Sequence, residues 1–415
     1  MLTIQKKLSN AFYVLLGLPS TAMGFGLSIQ IAVLSWILRT KYGLEIHEIG
    51  IVWAAGPIAG IIGQPLVGLI SDKVWFLGGR RRPFILIGGI LTALAILALP
   101  NIDKIADFTG IGNLMAVAIT VALTLDLSIN ISFNPTRSII ADVTPDGELR
   151  TKGYTWMQSV SNLFGALAYL TSALIGNYEL IYIGVGVILI FSLLPTLLIQ
   201  EPRVLSASAG VSDEKGSGGT NWSQLYRIFF AHGFSWLGIQ TMFIYLFTFL
   251  EKKLIVSDPA ILGQITGWSF FILNGVGFLI PIFLLQPLTK KIGQVRTHRL
   301  AVATMSLGYF LIAFFTGSAF SLYGFFLILS IGWSAVVSLP FAIMSENVDK
   351  GRMGFFMGIF NLSVVIPQLI ASMVIGFFIK SYIDDYASIV FIISGVSLGI
   401  SALLWNFVKE TARPL

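Results

Sequence analysis

Residues 68–84 read GLISDKVWFLGGRRRPF: one acid, Asp72, then Lys73 and the basic triplet Arg80, Arg81 and Arg82. On either side stand apolar stretches, 46–70 and 84–100, each of the length that crosses about 30 Å of hydrocarbon as helix. Apolar, basic, apolar is the signature of two membrane-crossing helices joined by a loop at the headgroups. The alternation of apolar spans and polar loops continues from end to end of the 415 residues. Twelve spans are expected, at 12–38, 46–70, 84–100, 112–142, 154–176, 178–199, 226–250, 259–288, 298–317, 319–345, 353–380 and 385–408. The longest must tilt, kink or protrude. Pro57, Pro65, Pro135, Pro281, Pro340 and Pro367 inside them are tolerable because neighbouring helices satisfy the freed backbone groups. The first span is too long for a signal-peptide core and is kept as a helix.

Composition agrees. Hydrophobic residues make up 55% and charged residues 11%, under half of the ~25% that covers a soluble domain, so a water-soluble enzyme is excluded. Cysteine is absent, which removes disulfides, thiolate metal sites and cysteine nucleophiles. His47, His232 and His298 are too scattered in sequence to make a metal cluster, and no cofactor is expected. Of the 26 Lys and Arg, 19 fall on the loops and termini of one side, 6 on those of the other, and Arg137 lies within a span. Cytoplasmic loops carry that excess, so both termini are expected inside the cell. The net charge of +6 then reflects topology and not nucleic acid.

The longest polar interruption, Glu201 to Gln224, contains EKGSGGTN and reads as a flexible linker. It separates six-helix halves at 1–200 and 226–415, with a cytoplasmic linker at 201–225. The halves echo each other: Gln64–Leu66 and Gln286–Leu288 both read QPL, each followed by a basic loop, and Pro135 in span four matches Pro340 in span ten. This layout is similar to that of the major facilitator superfamily, an all-α integral membrane fold of twelve helices in two pseudo-symmetric halves, with substrate bound between them. The 68–84 loop resembles that superfamily's cytoplasmic signature. Asp72, Arg80, Arg81, Arg82 and Asp142 are therefore expected to latch helices and gate, with no part in substrate choice.

Span four carries the chemistry: LDLSINISFNPTRSIIADV at 125–143. Asp126 lies near its middle, where an ionised carboxylate costs ~2.5–3.5 kcal/mol and needs a partner, a water-filled cavity or a proton. Asn130, Asn134 and Arg137 follow at intervals of four, four and three, so all four side chains share one helical face. Arg137 tilts back toward Asp126, but eleven residues rise about 16 Å, too far for direct pairing. The gap suits waters or a ligand with several hydroxyls. Alternatively, each charge pairs with another helix and locks the bundle.

This pattern, Leu-Asp, Asn four residues on, Pro-Thr-Arg and Ala-Asp, resembles span four of the sucrose transporter family, in the glycoside-pentoside-hexuronide cation symporter group. FGLSIQ at 25–30, WAAGPIAGIIGQPLVGLISD at 53–72, GGRRRPF at 78–84, SNLFG at 161–165 and NLSVVIPQLIAS at 361–372 extend the likeness into both halves. The resemblance implies proton-coupled uptake of a sucrose- or maltose-like glycoside by alternating access. Asp126 would be the proton and sugar-binding carboxylate, and Arg137 would be essential for substrate and coupling. The plant members' acid in span seven is missing here; Glu251 falls at that span's outer edge.

Sugars need bidentate polar partners and flat apolar faces. Gln30, Gln158, Asn162, Gln240, Asn274, Asn361 and Gln368 are amides that could supply the first, each equally readable as interhelical glue. Trp236 is the leading candidate for the second, with Trp53, Trp156, Trp268 and Trp333 behind it. The expected partners are a small sugar, a proton or a sodium ion, and the lipid bilayer, with the protein acting as a monomer. Two other readings stand beside the proton symporter: a sodium-coupled or uncoupled carrier of the same fold, and a membrane-embedded lipid-modifying enzyme. The enzyme would need paired acids, a histidine set or a nucleophile with its base, and one mid-span acid does not provide them.

Overall fold

A computed structural model of the chain describes residues 3–145, 148–202, 220–254, 256, 258–348, 353–383 and 386–410. Most of the linker expected at 201–225 lies outside them. Among the described residues the chain is helical, with one isolated bridge between Phe76 and Gly79.

Twelve helical rods follow in order. They are α1 (Asn10–Thr40), α2 (Ile46–Trp53, continuing as Ala55–Lys73), α3 (Arg82–Ala98, continuing to Thr109), α4 (Leu114–Val143), α5 (Glu148–Leu174) and α6 (Asn177–Leu198). Then come α7 (Trp222–Lys253), α8 (Pro259–Ile280, continuing to Ile292), α9 (Gln294–Phe315), α10 (Ala319–Val336 and Leu339–Ser345), α11 (Met353–Ile370, continuing to Lys380) and α12 (Ile389–Leu404). Ten of these rods are long and apolar enough over their described residues to cross a membrane. Of the remaining two, α2 is apolar over Ile46–Ile61, the stretch of its described residues, while α5 is diluted by Lys152, Gln158, Ser159 and Asn162.

Two boundaries correct the sequence reading. The third span does not stop at 100, because a 3-10 turn at Leu99–Asn101 carries it into Ile102–Thr109. The seventh begins at Trp222, four residues inside the expected linker, since the Asn221 side chain accepts from Gln224 N at 3.1 Å and caps the helix there. Polar loop residues act as caps elsewhere too: Ser9 for α1, Asn113 for α4, Asp258 for α8 and Ser318 for α10. Each satisfies a backbone N–H that hydrocarbon could not. The segments Pro281–Leu285 in α8 and Ala371–Ile375 in α11 are π-helical.

The chain forms two compact units, Met1–Ser206 and Ala207–Leu415. Within the first, α1 packs on α5 and α6, α3 on α4 and α6, and α2 on α4. Within the second, α7 packs on α11 and α12, α9 on α10 and α12, and α8 on α10. Adding six to each helix number of the first set gives the second, so the sequence echo is a repeat of neighbours. Close approach recurs as well: a Cβ at Gly88 of α3 would collide with Ser132 of α4, and one at Gly332 of α10 with Met305 of α9.

Candidate functional site

In the first unit, Asp126 is buried, 6% exposed. Gln30 Nε2 of α1 donates to its Oδ2 at 3.0 Å. Across from α2, a Cβ added at Gly56 would lie 3.3 Å from Asp126 Oδ1, and one at Gly63 would lie 3.2 Å from Asn130 Cβ. The missing side chains of α2 thus make the recess in which the α4 polar face sits. Among the described residues, the Asp126 carboxyl has no cationic partner.

Along the same face burial falls away step by step. Asn130 is buried and donates to Asp126 O at 2.8 Å, Asn134 is half-buried, and Arg137 is exposed. The Arg137 guanidinium stands 4.5 Å over the Phe133 ring, a cation–π contact, while its carbonyl accepts from Tyr154 Oη of α5 at 3.1 Å. Its guanidinium makes no hydrogen bond among the described residues. Among the described residues, neither charge pairs with the other and neither makes an ion pair. On α5, Gln158 Nε2 donates to Asn162 Oδ1 at 2.8 Å, and both are exposed together with Lys152, Thr155 and Ser159. A polar stripe of that length on a spanning helix is compatible with a water-filled path and not with lipid.

The second unit holds amides and aromatic rings. Gln368 Nε2 of α11 donates to Gln240 Oε1 of α7 at 3.2 Å. Trp333 Nε1 of α10 donates to Asn274 Oδ1 of α8 at 3.2 Å, and Asn274 donates in turn to Phe270 O. Trp236 Nε1 donates to His232 Nε2 at 3.0 Å. Its ring meets that of Trp333 edge-on, with centroids 6.1 Å apart, and Phe243 closes the group at 5.4 Å from Trp333. Asn361 is half-buried and makes no hydrogen bond among the described residues. Trp53 of the first unit is committed to structure: it is buried, with its indole N–H on Ser35 Oγ at 2.8 Å. Among the described residues of the second unit, no acid is buried as Asp126 is.

At the Asp142 end of the first unit, Arg81 Nε donates to Asp142 Oδ2 at 3.1 Å and Nη1 to Ser71 Oγ at 2.8 Å; both charged side chains are under 10% exposed. Arg82 reaches the carbonyls of Thr196 and Gly78, and Arg80 is half-buried. The Asp72 side chain lies outside the described residues. The backbone N–H groups of Arg80, Arg81 and Arg82 all donate to the Glu201 carboxylate, at 2.8, 2.9 and 2.7 Å, so an acid after α6 caps α3. In the second unit Glu410, after α12, accepts from the N–H groups of Gln294 and Val295 at the start of α9, and Gln294 Nε2 donates to Glu346 Oε1 at 3.0 Å. Glu201 and Glu410 escaped the sequence reading because each sits in polar terminal sequence. The signal was available as a repeated acid shortly after the sixth and twelfth spans.

The sequence model of the Major Facilitator Superfamily matches residues 17–372. Sucrose transport protein SUC4 of Arabidopsis thaliana is 24% identical, with 86% of this chain and 82% of that protein covered. The nucleoside transporter NupG superposes with a TM-score of 0.72 at 13% identity, covering 96% of this chain and 98% of that one. The inward-open xylose transporter XylE from E. coli gives 0.70 at 15%, covering 97% and 96%.

Proposed function

The chain belongs to the Major Facilitator Superfamily, and on that premise we propose that it is a proton-coupled symporter of a sucrose- or maltose-like glycoside, working by alternating access. One observation carries the coupling: Asp126 is buried near the middle of α4 and, among the described residues, its carboxyl has one neutral hydrogen-bond donor and no cation. A membrane potential acts on a charge at ~2.3 kcal/mol per 100 mV, and a carboxyl that takes up and releases a proton at this depth converts that drive into uptake. A carrier without coupling has no use for such an acid. The sugar assignment is supported by the relative described as a sucrose transport protein and by amides and tryptophans suited to hydroxyls and pyranose faces.

In this reading Asp126, Asn130, Asn134, Arg137, Gln158 and Asn162 form the polar side of the binding machinery in the first unit. Trp236, Gln240, Asn274 and Asn361 supply neutral contacts from the second. Burying a neutral acid avoids most of the desolvation cost of a carboxylate, so protonation and sugar binding reinforce each other. Asp72, Arg80, Arg81, Arg82 and Asp142 hold the gate at the cytoplasmic side, where both termini also lie. The protein acts as a monomer in the bilayer.

The test is uptake of a panel of glycosides into proteoliposomes, first under an imposed pH gradient and then under a sodium gradient. Accumulation driven by the pH gradient alone is expected. Accumulation that follows sodium, or sugar that merely equilibrates under both gradients, would replace this reading with one of the carriers set beside it.

A further inference from the structure

The sequence reading leaves Gln30 open between a sugar contact and interhelical glue. Its position gives it different work: the side chain is 4% exposed and its amide is spent on Asp126. A carboxamide facing a carboxyl is an unusual neighbour because it carries both a donor and an acceptor in one plane. While Asp126 is ionised, the Gln30 N–H can donate to one carboxylate oxygen, as observed at 3.0 Å, and the amide oxygen must keep away from the other. Once Asp126 holds a proton, its O–H becomes a donor. The same amide's Oε1 is an acceptor in the plane of its N–H and can take the new bond. Over the face of the carboxyl stands Gly56, whose missing Cβ would lie 3.3 Å from Oδ1 and 3.4 Å from Oδ2.

We infer that Gln30 is the positioning residue that reads the protonation state of Asp126. It makes one hydrogen bond to the carboxylate and two, as a cyclic acid–amide pair, to the carboxylic acid. The proton thereby adds a bond between α1 and α4, and Gly56 leaves the space in which the carboxyl turns to form it. This rests on the reading of Asp126 as the coupling site.

Other charges stand well away. On α1 the nearest in sequence is Arg39, nine positions from Gln30, about 13 Å of helix. On α2, Glu48 and His47 precede Gly56 by eight and nine positions. On α3, Thr92 bonds Ser128 of α4 at 3.1 Å; Arg82, Asp103, Lys104 and Asp107 are ten or more positions from it, as is Arg81, which is taken by Asp142. On α5, Tyr169 is tied to Ser28, Lys152 sits over the Tyr13 ring, and Tyr154 bonds the Arg137 carbonyl. On α4 itself Arg137 is eleven positions away, with Asp142 beyond it. Gln30 is the group that answers the proton directly.

The experiment is infrared difference spectroscopy of the purified full-length protein between acidic and alkaline buffer, with the Asp126→Asn spectrum used to assign the carboxyl band. In the parent, protonation should raise a carboxylic C=O band together with a change in a side-chain amide band. In Gln30→Met the amide change should vanish and the carboxyl band should move to higher frequency. In Gln30→Glu, which keeps the size and polarity of the site, two carboxyls share one proton. The titration should then split, with its later step at least about one pH unit above the parent's. If both variants melt lower but leave band position and titration midpoint unchanged, Gln30 is interhelical glue and the inference falls. If the carboxyl band persists in Asp126→Asn, the proton-site reading itself is wrong, a separate outcome.

Discussion

The two units repeat the same packing graph, yet they place different chemistry on it. Gln30 of α1 in the first unit and Gln240 of α7 in the second sit on equivalent helices. One faces the buried Asp126, the other faces another amide, Gln368. At the starts of α3 and α9 the parallel is closer still. Each backbone is capped by an acid from beyond the last helix of its own unit, Glu201 or Glu410, but beside it the first unit buries an ion pair, Arg81–Asp142, where the second has Gln294 on an exposed Glu346. The same packing graph thus carries a buried acid and a buried ion pair in the first unit and paired amides in the second.

The sharpest way to break this comparison is Asp126→Asn. Concentrative uptake under a pH gradient should fall to equilibration, while exchange of sugar persists. Full accumulation in that variant would move the coupling elsewhere. Next in size is the buried pair. Asp142→Asn leaves the Arg81 charge without its counter-ion, which costs about 3–5 kcal/mol when a buried pair is broken, and thermal unfolding in detergent should register it. Gln294→Ala in the equivalent place should stay within about 0.5 kcal/mol, because its partner is in water. Equal losses would mean that the two ends do the same work.

Arg137→Lys should follow, with uptake reduced by about tenfold at equal expression, because a planar fork that can hold two hydroxyls is replaced by a point charge. Parent-like transport would make Arg137 a headgroup residue. Smallest are the caps: Glu201→Gln and Glu410→Gln should each cost about 1 kcal/mol, since a charge-assisted bond to backbone N–H groups becomes a neutral one. A difference of several kcal/mol between them, read from paired melting curves, would show that the caps are not equivalent.

Much of the architecture was legible in the sequence, since span length, loop charge and the repeated QPL are properties of the chain itself. What escaped had a tertiary cause. The acid at 126 stands out because hydrocarbon punishes it, but its partner depends on the rotation of α1, which the sequence does not give. Trp53 was one of five candidate sugar platforms, and only the structure shows it buried with its indole N–H on Ser35 Oγ. The glycines at 56 and 63 take their meaning from what they pack against, the Asp126 carboxyl and Asn130.

The central claim is that the first unit alone supplies the coupling acid. It is tested most directly by sugar binding to purified protein as a function of pH, with the best-transported glycoside of the uptake panel as probe. If protonated Asp126 favours the sugar, affinity must weaken as rising pH removes that proton, and Asp126→Asn must bind with an affinity independent of pH. A variant that keeps the parent's pH dependence would contradict the account and redirect the search to Glu251 or Asp142.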